Sequence, residues 1–319
     1  MPDPAPLPVY LINAFAPTPA YSGNQAAVVI FPSDTHPKTQ DEAFMLSYAK
    51  DFGFSETAYL VPMPGNGEGG VGRYGLRWWT PGVEAALCGH ATLASSQAVF
   101  STDPDITSIE FLTRYSGVLI AKRIEDSIEI TLPTLSKDTY AAFGSESAKD
   151  PKKLEEAADV FGLKTENVES VETYSFGVRT SPIVQLSPET DITKIDVVWD
   201  KLASFKLAFS SGLIIVTQLA TDQPDDRLHI NTRVFAPGLA ILEDPVCGSA
   251  HAYLSGYYLA SPRTSELLPQ KFLEDPSKVL IEGNQPSPRG GRMTCALGEG
   301  HARLIGKCRE FGRGTLSGV

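Results

Sequence analysis

The sequence is poor in several features, and each shortage removes a class of function. No apolar run approaches the roughly 18 residues that a membrane helix needs; Ala26 to Phe31 and Leu213 to Val216 are typical of what is present. There is no basic block. The 27 Lys and Arg stand against 38 Asp and Glu, and the net charge of −11 is spread along the chain. Nucleic acid and anionic membrane both select a basic footprint, so neither is expected as a partner. Cysteine is scarce: Cys88, Cys247, Cys295 and Cys308 form no C-x-x-C pair, which leaves neither a zinc ribbon nor a disulfide framework. The five histidines are scattered with no H-E-x-x-H, so no structural metal is expected. No G-x-x-x-x-G-K-[ST] occurs, and neither Gly23-Asn24 nor Gly65 to Gly70 makes a dinucleotide fingerprint. No nucleotide, flavin or pyridoxal cofactor is therefore expected. Met1 to Pro6 lacks the charged and apolar parts of a secretory signal, and Leu316 to Val319 is neither a prenylation box nor a retention signal. The expectation is a cytoplasmic protein.

What is present is an ordinary globular composition, 42% apolar and 20% charged over 319 residues. That length fits two domains or one large one. Strands are expected at Val9 to Phe15, Ala26 to Phe31, Glu56 to Val61, Tyr74 to Thr80, Ile128 to Leu132, Ser181 to Leu186, Leu213 to Leu219 and Leu228 to Phe235. Helices fit Asp41 to Lys50, with acidic residues in its first turn and Gly53 beyond its end, and His90 to Phe100. A third fits Lys152 to Phe161, where Leu154, Ala157-Ala158 and Phe161 make one stripe. Strands outnumber helices without regular alternation, which reads as α+β. Trp78-Trp79, Tyr257-Tyr258, Cys295 and Cys308 read as core.

The chain also echoes itself. Arg77-Trp78-Trp79-Thr80-Pro81 precedes Cys88-Gly89-His90-Ala91 and a helical pattern; Arg233-Val234-Phe235-Ala236-Pro237 precedes Cys247-Gly248-Ser249-Ala250 and another. The interval from Arg to Cys is 11 residues in the first case and 14 in the second. Each half offers strand, proline turn, Cys-Gly and helix. Two such halves facing each other would bring two helix starts to one cleft.

A helix start presents unpaired N–H groups and partial positive charge, and so attracts a carboxylate. A thiol there has its pKa lowered, so Cys88 and Cys247 are candidate thiolates, although free cysteine is also among the most buried residue types. Two such groups on opposite faces of a carbon beside a carboxylate are the machinery of a racemase. His90 follows Cys88-Gly89, where a histidine is as readily a cap or a surface residue as a base. Asp244 precedes Cys247 and suits either a cap or a functional carboxylate, and Ser249 opens the second helix. Glu56 heads the apolar strand Thr57-Ala58-Tyr59-Leu60. Exposed, it would be ordinary; buried, it would have a raised pKa suited to carrying a proton near neutral pH.

Taken together, these segments resemble the PhzF family of phenazine-biosynthesis proteins, a branch of the diaminopimelate-epimerase-like fold. The resemblance rests on Ser22-Gly23-Asn24 before Ala27-Val28-Val29, on Phe54-Ser55-Glu56-Thr57-Ala58-Tyr59-Leu60 and on Leu87-Cys88-Gly89-His90-Ala91-Thr92-Leu93. It continues through Arg233 to Pro237 and Glu243-Asp244-Pro245-Val246-Cys247-Gly248-Ser249-Ala250-His251, and more weakly through Gln285, Ser287 and Arg289-Gly290-Gly291. It implies two pseudo-symmetric β-barrel-like halves, each wrapped around a central helix, with the active site in the cleft between them. Their expected extents are 1–135, completed by about 305–319, and 136–304. It further implies a cofactor-free proton shift on a small carboxylate, with Glu56 as acid/base. His90, Asp244 and Ser249, with the Gly89 and Gly248 backbone, would hold or polarise the substrate beside Cys88 and Cys247. Homodimers occur in the family, and one is the expectation here.

Two departures matter. Gln25 stands where the family usually has proline. Cys247 replaces the usual threonine or other non-thiol, so the chain combines the Glu56 motif with the two cysteines of the related racemases and epimerases. The readings are therefore a PhzF-type isomerase, a two-cysteine racemase or epimerase, and a non-catalytic interaction protein that keeps the fold.

Overall fold

A computed structural model of the chain describes residues 6–17, 21–141, 146–176, 179–204, 212–224, 226–239, 241–262, 267–272 and 274–317. Residues 1–5 and 318–319, on which parts of the terminal-signal readings fall, lie outside them. The chain divides into two compact units, one taking it up to Leu132 and again from Leu304, the other running from Pro133 to Arg303. No helix among the described residues is long and apolar enough to cross a membrane.

The first unit contains strands β1 (Leu7–Ala14), β2 (Asn24–Ile30), β3 (Glu56–Pro62), β4 (Val71–Trp79), β5 (Glu84–Ala85), β6 (Ser108–Thr113), β7 (Val118–Ile124) and β8 (Ser127–Pro133), with helices α1 (Glu42–Phe52) and α2 (Gly89–Thr102). Sense along the ladder alternates: β1–β2 antiparallel, β2–β3 parallel, β3–β4 antiparallel, β4–β6 parallel, β6–β7 antiparallel. Helix α1 begins where Asp41 accepts the Phe44 N–H and stops at Gly53, which takes the left-handed conformation. It covers a cluster containing Phe31, Phe44, Tyr59 and Trp79.

The second unit contains α3 (Lys137–Ala141), α4 (Pro151–Val160), β9 (Val168–Phe176), β10 (Arg179–Leu186), α5 (Trp199–Ser204), β11 (Ile214–Leu219), β12 (Arg227–Ala236), β13 (Ile241–Asp244), α6 (Gly248–Ala260), β14 (Leu280–Gln285) and β15 (Gly291–Leu297). Strand β16 (His301–Gly306) spans the division, and β17 (Cys308–Leu316) pairs antiparallel with β1. The ladder of this unit repeats the same senses in the same order: β9–β10 antiparallel, β10–β11 parallel, β11–β12 antiparallel, β12–β14 parallel, β14–β15 antiparallel.

The internal echo extends to side chains. Arg77 grips Glu84 with two hydrogen bonds of 2.6 and 2.8 Å, and Arg233 grips Glu243 with two of 2.8 and 2.9 Å. Each arginine also lies over an aromatic ring two residues on, Trp79 at 5.5 Å and Phe235 at 5.3 Å. Each glutamate stands four residues before the Cys-Gly pair. The fork ties the short strand β5 or β13 to its neighbour, and so fixes the chain that leads into the helix.

Helices α2 and α6 are the central helices. Neither contains a charged residue, both are small or apolar all round, and nearly every position is buried. Buried hydroxyls in α2 are satisfied within the helix: Ser95 donates to Ala91 O and Ser96 to Thr92 O. In α6, Tyr258 donates to Gln185 Oε1, and its hydroxyl oxygen lies 3.0 Å from Thr217 Oγ1. Trp78, Trp79, Tyr257, Tyr258 and Cys295 are buried, as expected of core residues. Cys308 is only partly buried, because β17 alternates between exposed and covered positions, while its thiol reaches the Leu93 carbonyl at 3.5 Å.

Gly256 lies inside α6, where glycine costs about 1 kcal/mol relative to alanine. The reason for it is Tyr140, whose ring fills the space that a Cβ would need. The Tyr140 hydroxyl is anchored to Tyr253 O at 3.0 Å and to Thr134 Oγ1 at 2.5 Å. Gly256→Ala is therefore expected to lose about 1–3 kcal/mol despite its better helix propensity. Urea unfolding measures this; a gain in stability would contradict the packing argument.

Candidate active site

In the first unit, the N-terminal ends of two parallel strands and a helix converge. Asn24 opens β2, Glu56 opens β3, and β2 and β3 run side by side with Ala26 opposite Glu56. Gly23, at φ +77°, leads into Asn24, and a Cβ there would run into the Ala14 carbonyl. Cys88 is the N-cap of α2 and makes no side-chain cap bond; its carbonyl accepts instead from the Thr92 hydroxyl at 2.5 Å. Gly89 and His90 are the first residues of the helix.

His90 is fully enclosed. Its Nε2 lies 3.3 Å from Glu56 Oε2 and 3.2 Å from Ser55 Oγ, and its Nδ1 lies 3.1 Å from Asn24 Nδ2 and 3.5 Å from Cys88 Sγ. The Ser55 hydroxyl donates to Asn24 Oδ1 at 3.1 Å, which turns the amide nitrogen of Asn24 toward the ring. An amide nitrogen only donates, so Nδ1 accepts and the ring proton sits on Nε2, where Ser55 Oγ is its partner. Burial pushes His90 down to about 3, and the Gln25 backbone carbonyl offsets only part of this. The imidazole is neutral, and Glu56, 8% exposed, lies beside it. His90 is thus neither a surface residue nor a cap, and Glu56 is not the exposed strand-end glutamate that its position alone permits.

The second unit builds a comparable helix start from different side chains. Cys247 is the N-cap of α6, again without a side-chain cap bond. Its N–H donates to Gln285 Oε1 at 2.9 Å, and Gln285 Nε2 donates to Asp244 O at 2.5 Å. Ser287 donates to Pro245 O at 2.7 Å. His251 Nδ1 lies 2.8 Å from Cys247 O, the place that the Thr92 hydroxyl takes in the first unit. Burial lowers His251 to about 4, so this ring is also neutral and Nδ1 donates. Gly248 is buried and Ser249 is partly exposed in the first turn. Asp244 does not cap the helix: Oδ1 accepts the Val246 N–H at 3.0 Å, before the helix begins. Burial pushes Asp244 up to about 6, against the pull of Cys247 and the Val246 N–H, and neighbouring Glu243 adds to the rise.

Glu56, Cys88, Gly89 and His90 are therefore grouped in one unit, and Asp244, Cys247, Gly248 and Ser249 in the other. Sequence reasoning gives Asn24, Ser55 and Gln285 no task of their own. They orient His90 and hold the Cys247 turn, and only the motifs around them signal this. One candidate metal-ligand grouping also emerges among the described residues. Glu56, Cys88 and His90 each offer a ligand atom, all within 4.8 Å of one another. Sequence spacing shows no such cluster, because these residues meet through the fold and not through a local motif.

A raised carboxylate destabilises the fold once it ionises. Asp244 contributes stability that is present below the unfolded value near 4 and lost as pH rises through about 6. The loss above that pH is on the order of 2–3 kcal/mol. Asp244→Asn removes it and keeps an oxygen for the Val246 N–H. The variant is expected to melt about 5 °C above the unmodified protein at pH 8 and about level with it at pH 3.5, below the unfolded value. Both proteins share the buried histidines, whose acid-side cost cancels in the comparison. Equal shifts in thermal unfolding at the two pH values would contradict the assignment.

Residues 12–305 match the family model for phenazine biosynthesis-like protein, PhzC-PhzF. The chain is 31% identical over 322 residues to the phenazine biosynthesis-like domain-containing protein of Bos taurus, covering 98% of this chain and 99% of that one. It is 28% identical to an uncharacterized isomerase of Halalkalibacterium halodurans, covering 97% and 98%. The crystal structure of a PhzF-family phenazine biosynthesis protein from Enterococcus faecalis superposes with a TM-score of 0.71 at 27% identity, covering 98% and 99%. With its α+β architecture related to the diaminopimelate-epimerase-like fold, the chain belongs to the phenazine biosynthesis-like PhzF family.

Proposed function

We propose that the protein is a cofactor-independent isomerase that moves a proton on a small carboxylate substrate, with Glu56 as the acid/base. The observation that carries this reading is the setting of Glu56: a buried carboxylate at a strand start, 3.3 Å from a neutral His90. A neutral neighbour does not neutralise the carboxylate, so Glu56 can accept a substrate proton and release it to another carbon. Family membership and similarity to an isomerase support the same reading.

The carboxylate preference rests on the helix starts. Both α2 and α6 begin at Cys-Gly with no cap bond from the N-cap cysteine's own side chain, and a helix start of this kind attracts an anion. An anion held there acidifies the adjacent C–H by taking up developing charge, and each positioned donor is worth roughly 3–4 kcal/mol in such a transition state. Gly89 belongs to this task in the first unit. Gly248, Ser249 and Asp244 are assigned to substrate binding in the second, with Asp244 protonated below about pH 6 and able to donate. Cys88 and Cys247 are assigned to lining and not to proton transfer.

Proton NMR in D₂O with a panel of carboxylates, including dihydro-hydroxyanthranilate and common L-amino acids, tests the reading. Deuterium is expected at a carbon other than the one that loses its proton. Glu56→Gln is expected to slow this at least about 100-fold, and Cys247→Ser to leave most of it. Exchange at an amino-acid Cα that disappears with Cys247→Ser would replace the reading with a two-cysteine racemase. No exchange anywhere in the panel would favour an interaction protein that keeps the fold.

A further inference from the structure

The proposed reaction leaves the Cys88 thiol without a chemical task, yet this thiol stands beside the two groups that the reaction uses. The geometry points to a binding site for one thiophilic divalent cation, of the Zn²⁺ or Cd²⁺ class, formed by Cys88 Sγ, one ring nitrogen of His90 and the Glu56 carboxylate.

Three observations in the first unit carry this. The three ligand atoms lie within 4.8 Å of one another, so an ion at ordinary bond lengths can reach all three with small side-chain rotations. All three residues are buried, which removes most of the water that competes for such an ion and leaves little cost in ordering the ligands. With Nδ1 as the ligand, the Nε2 proton keeps Ser55 Oγ as its acceptor, the outer contact that orients a metal-bound imidazole. The donor set selects the ion. One sulfur, one imidazole and one carboxylate favour borderline and soft cations over Mg²⁺ or Ca²⁺, which seek oxygen only.

Binding sends the thiol proton of Cys88 to solvent and forms a metal–thiolate bond, so affinity rises with pH. It also occupies Glu56. If Glu56 is the acid/base, the ion is an inhibitor that competes with catalysis at its centre. The site itself does not depend on that reading.

Titration of chelator-treated protein with Cd²⁺, followed by the ultraviolet thiolate-to-cadmium charge-transfer band, tests the site directly. The expected result is a band that saturates at one ion per chain, releases about one proton, and is undiminished by excess Mg²⁺. Cys88→Ser should abolish the band and Cys247→Ser should leave it. Glu56→Gln and His90→Asn should each weaken binding at least about tenfold. Absence of a saturable band in the unmodified protein would overturn the inference whether or not the variants fold. So would a band that survives Cys88→Ser. Where substrate turnover is measurable, Zn²⁺ inhibition lost in Cys88→Ser would add the regulatory consequence, whereas binding without inhibition would overturn only the placement of Glu56 in catalysis.

Discussion

Each unit has to bury the start of an uncharged helix, and the neighbouring residues are arranged around that constraint. A helix that begins at the surface leaves its first N–H groups to water; α2 and α6 begin at buried Cys-Gly pairs, where water is scarce. The chain solves part of this locally. Gln285 takes the N–H of Cys247, while Thr92 and His251 donate to the carbonyl of the N-cap cysteine and fix the turn without satisfying an N–H. The arginine–glutamate forks hold the approach to each helix in place. The donors of the first turn then point from a rigid frame, the condition under which a helix end acts as a fixed anion receptor instead of a frayed terminus.

The two units share this frame but not their chemistry. By strand register, Thr57 lies opposite Trp79 as Ile214 lies opposite Phe235, so the position of Glu56 corresponds to that of Leu213. Likewise Ala85 pairs with Trp78 as Asp244 pairs with Val234. Each unit thus carries one acidic residue where its counterpart is apolar. The repeat preserves the strand ladder and its helix, and the differences fall on residues of the candidate site. His90 and Ser249 occupy the same helical position and also differ, an imidazole in one unit and a hydroxyl in the other.

Much of this is legible in the sequence. Eight strands, β1–β4, β8 and β10–β12, are readable from apolar runs between turn signals, whereas β5–β7, β9 and β13–β17 are not, and the echo of Arg, proline turn and Cys-Gly announces the repeat without any coordinates. Boundaries move by one to three residues: β4 begins at Val71 and not Tyr74, since its first residues are glycine-rich and lack strand propensity. The burial of His90 and Glu56 is not readable, because it depends on packing between segments more than 30 residues apart. Asn24 and Ser55 are invisible as partners for the same reason. Single polar residues acquire a role only when a fold brings a second one within hydrogen-bond reach.

The closing of the first unit has an order in time. Strand β1, Leu7–Ala14, is completed by β17, Cys308–Leu316, from the far end of the chain, while the second unit is continuous from Pro133 to Arg303. During synthesis the second unit has all its strands before the first can close. Helix α2, with no charged residue and several Ser and Thr, has little reason to persist until strands surround it. The segment carrying Glu56 and His90 therefore emerges from the ribosome early but reaches its native enclosure late. That interval, with a long-range strand pairing outstanding, is when the chain exposes its central helix to chaperones and to aggregation.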